Sequence, residues 1–376
     1  MKKISILLIA MFLVHGATGQ DTIFKSGTDL FVQKRNPATD LPRPVSYYAG
    51  YEQRIRELPD QRSLIQVLDS AYAFLWDTIG NSWQVHYKIT GIVYDANYNL
   101  TSDVYKLWNG SGWENYAKLF FTYDSNNNQT GYLRQNWYGS DWGNFSQYVY
   151  TYDVSNNMTG QLYQRWFNDA WDNYSLETLT YNSKNDLTNE LFQIWNGYAW
   201  ENYSQNIHIY DLNDNRTSIL YQIWAEVFWV NYGLSTFTYD LNNNLSGTLE
   251  ETWDGNSWVK STLTTYEYDS SNNLTTEFIQ RWNGNAWENY YRWLYIYDSA
   301  NLLINASYQW WSNNAWNLVW RTGLTYDATG FMVSSSYKEW NVSGTGVTYG
   351  DSTYYYFHTV LGANEKNMPS GNIGLK

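Results

Sequence analysis

The sequence predicts an all-β fold built from tandem β-hairpins, and two residue series with a common spacing predict it. Nine tyrosines stand 29 residues apart: Tyr94, Tyr123, Tyr152, Tyr181, Tyr210, Tyr239, Tyr268, Tyr297 and Tyr326. Nine tryptophans keep the same spacing: Trp108, Trp137, Trp166, Trp195, Trp224, Trp253, Trp282, Trp311 and Trp340. An unbroken period of this length indicates one supersecondary unit copied in tandem. Tyr, Trp and Phe make up 19% of the chain, a composition that is typical of strands.

Each repeat is predicted to contain two strands. One strand ends at the Tyr-Asp pair, as in 287–297, and the other ends at the next Trp, as in 274–282. In the second kind, Leu245, Leu249 and Trp253 alternate with polar residues, which is the period-two pattern of a strand. Proline is absent from the whole repeat region, as a strand array requires, because proline removes a ladder donor.

The turn after each Tyr-Asp pair is predicted to contain one residue in the left-handed conformation, always at the same position. The third residue after the Asp is Asn127, Asn156, Asn185, Asp214, Asn243, Asn272, Asn301 or Gly330. Asn, Asp and Gly are the residues that tolerate positive φ, so a hairpin loop with one left-handed residue is expected.

The second turn lies between two tryptophans. Asn109-Gly110 and Asn283-Gly284 follow the first Trp of their repeats, and Asn-Gly is a strong hairpin signal. A tight turn places Trp108 opposite Trp113 and Trp282 opposite Trp287, so we expect paired indole rings.

The predicted architecture is an elongated, twisted antiparallel sheet of about eighteen strands, forming a spiral or curved array. The alternative is a parallel β-solenoid with one repeat in each coil. The predicted segments are a signal peptide (1–19), a non-repeat leader and N-terminal cap (20–75), the hairpin array (76–361) and a flexible tail (362–376). Apolar residues in Gln61–Ala73 indicate a short helix within the cap.

The first nineteen residues predict export. Lys2 and Lys3 precede an apolar run and then Ala17-Thr18-Gly19, the pattern of a secretory signal peptide that is too short to span a bilayer. We expect a secreted or cell-surface protein of a Gram-negative type of envelope, with no membrane span in the mature chain. The net charge is −13, which repels phosphate backbones and argues against nucleic-acid partners. Cysteine is absent, so disulfides and thiolate metal sites are excluded.

The Tyr-Asp-x-x-Asn-Asn-Leu-Thr motif at Tyr268–Thr275, with variants at Tyr123, Tyr152 and Tyr239, resembles the YD repeats of RHS-type proteins. Those repeats carry Gly where most copies here carry Asn, and they lack the paired-Trp turn. The resemblance covers residues 76–357 and implies long antiparallel sheets that spiral or form shells. The unit is also similar to repeats of secreted proteins that use the type IX route across the outer membrane.

Candidate ligand-binding residues are the tyrosines three positions after the second Trp of a repeat: Tyr116, Tyr174, Tyr203, Tyr232 and Tyr290. They are predicted to lie on the face opposite the Trp pairs, where exposed aromatic rings suit sugar rings or partner side chains. The expected partner is a glycan or a surface or matrix protein. The alternative is that the aromatic residues serve only as the core of a thin sheet.

Neither metal nor catalysis is expected. The Asp124-x-Asn126-x-Asn128 spacing imitates a calcium loop, but the Gly at position six and the distal Glu are missing, so no metal or other cofactor is predicted. Glu114, Glu201 and Glu288 recur in every third repeat, whereas a glycoside hydrolase needs two carboxylates a few ångströms apart. The sequence therefore predicts a non-catalytic binding or scaffold protein, adhesin-like or glycan-binding. The alternative is a shell or spacer that encases or displays a partner, and a hydrolase is third.

Overall fold

The computed structural model describes residues 64–328, 330–341 and 345–361. The predicted signal peptide (1–19), most of the predicted leader (20–63) and the predicted tail (362–376) lie outside the described residues. Within the described ranges, no helix is long and apolar enough to cross a membrane.

Twenty β-strands follow one another along the chain. Their bounds are β1 Leu64–Asp77, β2 Ser82–Tyr94, β3 Leu100–Trp108, β4 Trp113–Tyr123, β5 Gln129–Trp137, β6 Trp142–Tyr152, β7 Met158–Phe167, β8 Ala170–Tyr181, β9 Leu187–Trp195, β10 Trp200–Tyr210, β11 Arg216–Ala225, β12 Phe228–Tyr239, β13 Leu245–Trp253, β14 Trp258–Tyr268, β15 Leu274–Trp282, β16 Trp287–Tyr297, β17 Leu303–Ser312, β18 Ala315–Tyr326, β19 Met332–Trp340 and β20 Val347–Leu361. Each strand pairs antiparallel with the next, so the prediction of tandem hairpins is confirmed.

The sheet closes on itself. Strand β1 pairs antiparallel with β20, from Leu64–Leu361 to Leu75–Asp351, so the twenty strands form a closed barrel. The predictions of an open spiral sheet and of a parallel solenoid are both wrong, and the short helix predicted within Gln61–Ala73 is wrong from residue 64 onward, where β1 lies.

Closure follows from a small slip in register that accumulates around the sheet. Phe121 pairs with Tyr132, and Tyr132 pairs with Tyr148. The residue equivalent to Phe121 in the next repeat is Tyr150, 29 residues later, but the residue level with Phe121 is Tyr148. Each repeat is therefore displaced by two residues along the strand direction relative to the repeat before it. A constant slip of this kind tilts the strands against the barrel axis, and such a stagger is what allows a sheet to close.

One face of the sheet holds most of the buried side chains. In β4, Ala117, Leu119 and Phe121 are buried, whereas Phe120 is half-buried and Thr122 is exposed. In a closed sheet the more buried face is the inner one. Because a barrel of eight strands is already filled by its side chains and diameter grows with strand number, twenty strands enclose a lumen.

The densest packing lies around the closure. Ala71, Ala73, Tyr87, Ile89 and Tyr355, all from β1, β2 and β20, are at most 7% exposed. In the middle repeats most inner side chains are half-buried, as expected for residues that line a lumen. Side chains are thus most fully buried where the first and last strands of the barrel meet.

Both predicted turns are confirmed. Each of the eight residues predicted to be left-handed has positive φ, for example Asn127 at 65° and Gly330 at 85°. In the other turn the tryptophans face each other as predicted, with Trp108 and Trp113 ring centroids 5.3 Å apart and Trp282 and Trp287 5.1 Å apart. Trp224 and Trp229 keep this contact at 4.9 Å although their loop lacks Asn-Gly. The indole pair therefore persists without the favoured turn chemistry.

Candidate functional site

The five predicted ligand-binding tyrosines share one structural position, the extra residue of a β-bulge. In the β9–β10 hairpin, Asn202 pairs with Gln193 and Ser204 pairs with Phe192, so Tyr203 has no opposite residue. The same shift leaves out Tyr116, Tyr174, Tyr232 and Tyr290 in their hairpins. A bulge bends its strand and re-aims the extra side chain. Local backbone geometry therefore sets the direction of these rings.

The bulge tyrosines lie on the inner face, opposite the Trp pairs as the sequence predicted. The Tyr174 ring centroid lies 3.7 Å from Cζ of Arg165 and 5.6 Å from the Tyr163 ring. Arg165 pairs with Ser146, which is 5% exposed, so this contact is on the inner side. Their role as ligand-binding residues stays a prediction.

The bulge position forms a row of aromatic rings. It is filled by Tyr116, Phe145, Tyr174, Tyr203 and Tyr232 in five successive repeats. Neighbouring members are two strands apart, which is roughly 10 Å across a sheet. Tyr174, Tyr203 and Tyr232 are 38%, 48% and 63% exposed. The row thus offers aromatic surface near the Trp-turn end of the barrel.

A groove opens beside the fifth predicted tyrosine. It has a volume of about 510 Å³ and is lined by Arg281, Glu288, Asn289, Tyr290, Trp310 and Trp311. Nη2 of Arg281 lies 3.6 Å from Oε2 of Glu288, and the Tyr290 and Trp310 ring centroids are 6.4 Å apart. The sequence prediction included Tyr290 but not Trp310, whose signal is that it falls outside the 29-residue tryptophan series.

Partly buried carboxylates line the inner face, farther from the Trp turns than the bulges are. Burial raises the pKa of Glu250 and of Glu277, and burial together with Glu190 raises that of Glu177. Burial and the nearby Glu339 raise the pKa of Asp351 to about 7. These groups come from different strands, so carboxyls with a raised pKa lie at several places around the inner wall.

One carboxylate departs from this trend. Burial opposes ionisation of Glu190, but the hydrogen bond from Asn206 and the neighbouring His208 outweigh it and lower the pKa. The Asn206 amide donates at 2.6 Å, and His208 Nε2 is 3.5 Å from Oε1 of Glu190. The cluster links β9 and β10 through polar side chains on the inner face.

The three recurrent glutamates act in the Trp turns. Glu114 accepts a hydrogen bond of 2.6 Å from Asn109, Glu288 accepts one of 2.6 Å from Asn283, and Glu201 is bonded by Asn196. They stand six strands apart along the sheet, a path of roughly 29 Å, too far for the carboxylate pair of a glycosidase. Each glutamate therefore ties down the Asn of its own turn.

The Tyr-Asp loops use their aspartates for backbone capping. Oδ1 of Asp124 accepts hydrogen bonds from the amides of Asn126 and Asn128, at 2.8 and 2.9 Å, and the Asn128 side chain lowers the pKa of Asp124. Among the residues that the structure describes, no three His, Asp or Glu side chains are grouped to hold a metal ion. Turn formation accounts for the calcium-like spacing.

No family model and no curated protein matches the chain. Among solved structures, TcdB2-TccC3 without its hypervariable C-terminal region, an RHS/YD-repeat toxin, matches at 12% identity and TM-score 0.33. That match covers 77% of this chain but only 14% of the other. A porin-like protein from Bacteroides uniformis matches at 12% identity and TM-score 0.32, covering 77% of this chain and 96% of that one. A protein of unknown function from Bacteroides fragilis matches at 15% identity and TM-score 0.27, covering 31% of this chain and 91% of that one. Similarities this weak carry no argument about family or function.

Proposed function

We propose that this protein is a non-catalytic shell whose lumen holds a partner. The observation that carries the proposal is the pairing of β1 with β20, because it turns a repeat array into an enclosure. A spacer or display stalk gains nothing from joining its ends. A container needs this seam between β1 and β20, and side chains are most fully buried there.

The inner wall supports this proposal. It presents tyrosines such as Tyr148 and Tyr163, which are half-buried with ring centroids 4.7 Å apart, and on other strands carboxylates such as Glu250 and Glu277. A wall that combines aromatic and hydrogen-bonding groups resembles the lining of a binding surface. A packed interior of this size would instead bury its middle repeats fully.

Cysteine labelling tests the enclosure, because the natural chain has no Cys. Thr264 pairs with Thr248 and Ile279 and faces inward, whereas its neighbour Thr265 pairs with Gly247 and Phe278 and faces outward. We expect a small maleimide to label both Thr264→Cys and Thr265→Cys. A maleimide coupled to a globular carrier protein should label only Thr265→Cys. Equal reaction of both variants with the carrier would contradict an enclosed lumen.

A second candidate function is ligand binding along the row of bulge aromatics, adhesin-like and directed at a glycan or a matrix protein. The exposure of Tyr203 and Tyr232, at 48% and 63%, favours it. A screen on glycans and matrix proteins tests it with Tyr203 and Tyr232 changed to Ala. The account expects binding to be lost while the circular dichroism spectrum stays unchanged, and absence of any signal with the native protein removes this candidate.

A further inference from the structure

Three tryptophans stand outside the repeat pattern. Of the 22 tryptophans, all but Trp293, Trp310 and Trp320 belong to the Trp turns. The repeat positions equivalent to Trp310 hold Arg281, Thr252, Ile223, Ile194, Arg165 and Asn136. The hairpin repeat therefore does not need an indole at this position, and these three side chains call for an explanation of their own.

All three lie together on the inner face of β16, β17 and β18. Trp293 pairs with Tyr308, and Tyr308 pairs with Trp320, so the three strands bring these rings side by side. The Trp293 and Trp320 rings meet edge to face at 4.8 Å. Trp310 pairs with Tyr291 and remains 49% exposed. The result is an aromatic patch that contains all three tryptophans outside the Trp turns.

Trp310 and Tyr290 form the aromatic walls of the groove described above. Their planes are inclined by 55°, so a ring-shaped ligand can lie against one face while touching the other. Arg281, Glu288 and Asn289 supply donors and acceptors beside them. Arg281 lies opposite Glu288, so their charges balance. The groove combines exposed aromatic faces with polar groups of no net charge.

We propose that this groove, lined by Tyr290, Trp310, Arg281, Glu288 and Asn289, binds a neutral oligosaccharide. Sugar rings present an apolar face that stacks on aromatic side chains and hydroxyls that bond to amide, carboxylate and guanidinium groups. The groove volume lies within the range of small-ligand sites. The charge of −13 disfavours anionic ligands. The proposal is independent of the shell function, since an open rim can bind sugar whether or not the lumen holds a partner.

A glycan array of neutral oligosaccharides (glucans, mannans, xylans, galactans and chitin oligomers) tests this site, followed by calorimetry on the best ligand. We expect the native protein to bind at least one class, Trp310→Ala to weaken binding about tenfold or more, and Trp310→Phe to restore most of it. Trp310 is half exposed and outside the paired series, so its removal should leave circular dichroism and the melting temperature unchanged.

The control is Tyr198→Ala, which removes a ring that is 92% exposed on a turn, and it should bind like the native protein. Absence of binding to every neutral oligosaccharide overturns the proposal. So does native affinity in Trp310→Ala. Loss of binding in Tyr232→Ala together with native binding in Trp310→Ala also overturns it, and assigns the sugar to the bulge row instead.

Discussion

The side-chain amide of Asn128 donates a hydrogen bond of 2.9 Å to Oδ1 of Asn156, one repeat further along the chain. Asn156 also accepts one of 3.0 Å from Asn126 and has a φ of 64°. Equivalent bonds join Asn99 to Asn127 and Asn273 to Asn301. In these loops the left-handed residue therefore has two functions, since it closes its own turn and holds the preceding repeat.

This double function explains why Asn stands where YD repeats carry Gly. We expect Asn156→Gly to lower the free energy of unfolding by about 0.5–1.5 kcal/mol, because Gly keeps the backbone conformation but removes the acceptor. Asn156→Ala should cost about 1 kcal/mol more, because Ala resists positive φ. Urea unfolding measures both, with Ser155→Ala in the same loop as control. Equal stability of the Gly variant and the native protein would refute a role for the inter-repeat bond.

The period-29 tyrosines also bridge repeats. The hydroxyl of Tyr210 donates to the backbone carbonyl of Leu187 at 2.9 Å, and Tyr181 and Tyr239 make the corresponding bonds at 2.8 Å. Tyr210→Phe removes only the hydroxyl, so we expect a loss of about 1 kcal/mol in urea unfolding. Tyr198→Phe, on an exposed turn, should change nothing. A Tyr210→Phe variant as stable as the native protein would show that this bond has no net value.

The turn between Trp224 and Trp229 is strained at Glu226, which has a φ of 59°. Left-handed conformations cost a residue with a Cβ roughly 1 kcal/mol, so Glu226→Gly should stabilise the protein by about that amount. Gly255→Ala, where φ is 103°, should destabilise it in the same thermal melts. A lower melting temperature for Glu226→Gly would contradict backbone strain at Glu226.

The ionisation of Asp351 should make the folded protein less stable as the pH rises. Its pKa in the folded state is about 7, above the ordinary value of about 3.9, so the protonated form is the one that favours folding. Its contribution is complete below about pH 4 and is lost as the pH rises through 7.

We therefore expect Asp351→Asn to leave stability unchanged near pH 4 and to raise it at pH 8, by at most about 4 kcal/mol. Urea unfolding at the two pH values measures this, with Asp141→Asn on an exposed turn as control. An equal effect of Asp351→Asn at both pH values would contradict a buried, weakly ionised carboxyl.

Local structure was predictable from the sequence because the repeat shows each position several times. The series from Asn127 to Gly330 identified a positive φ, and the spacing of Trp282 and Trp287 predicted their contact. The pairing of an Asn-Gly turn with a Glu five residues after the Asn is also present in the sequence. The three pairs are Asn109 with Glu114, Asn196 with Glu201 and Asn283 with Glu288. These features depend on neighbours within one hairpin.

Closure was not predictable in the same way. It depends on the slip of two residues in each repeat, which acts only when summed over the sheet, and on β1, whose sequence lacks the repeat period. The pattern at Leu64, Leu68 and Ala71 indicated a helix because both faces of that strand are partly covered, which hides its period-two signal. The bulge at Tyr203 was equally hidden, since a single extra residue leaves the 29-residue spacing unchanged.

The distance between β3 and β19 tests the closed barrel most directly. Ser102 in β3 and Ser336 in β19 both face outward, next to Phe120 and Gly323, and the chain has no natural Cys to interfere with spin labels. Across the seam they are four strand steps apart, roughly 20 Å, and the register offsets them by about six residues along the strands, roughly 20 Å more, so they lie roughly 28 Å apart. The path through an open sheet takes sixteen steps, roughly 75 Å. Pulsed electron resonance on Ser102→Cys/Ser336→Cys should give a single short distance of about 25–40 Å, label arms included. A distance beyond about 60 Å would mean that β1 and β20 do not meet, and the enclosure and the function proposed from it would both be wrong.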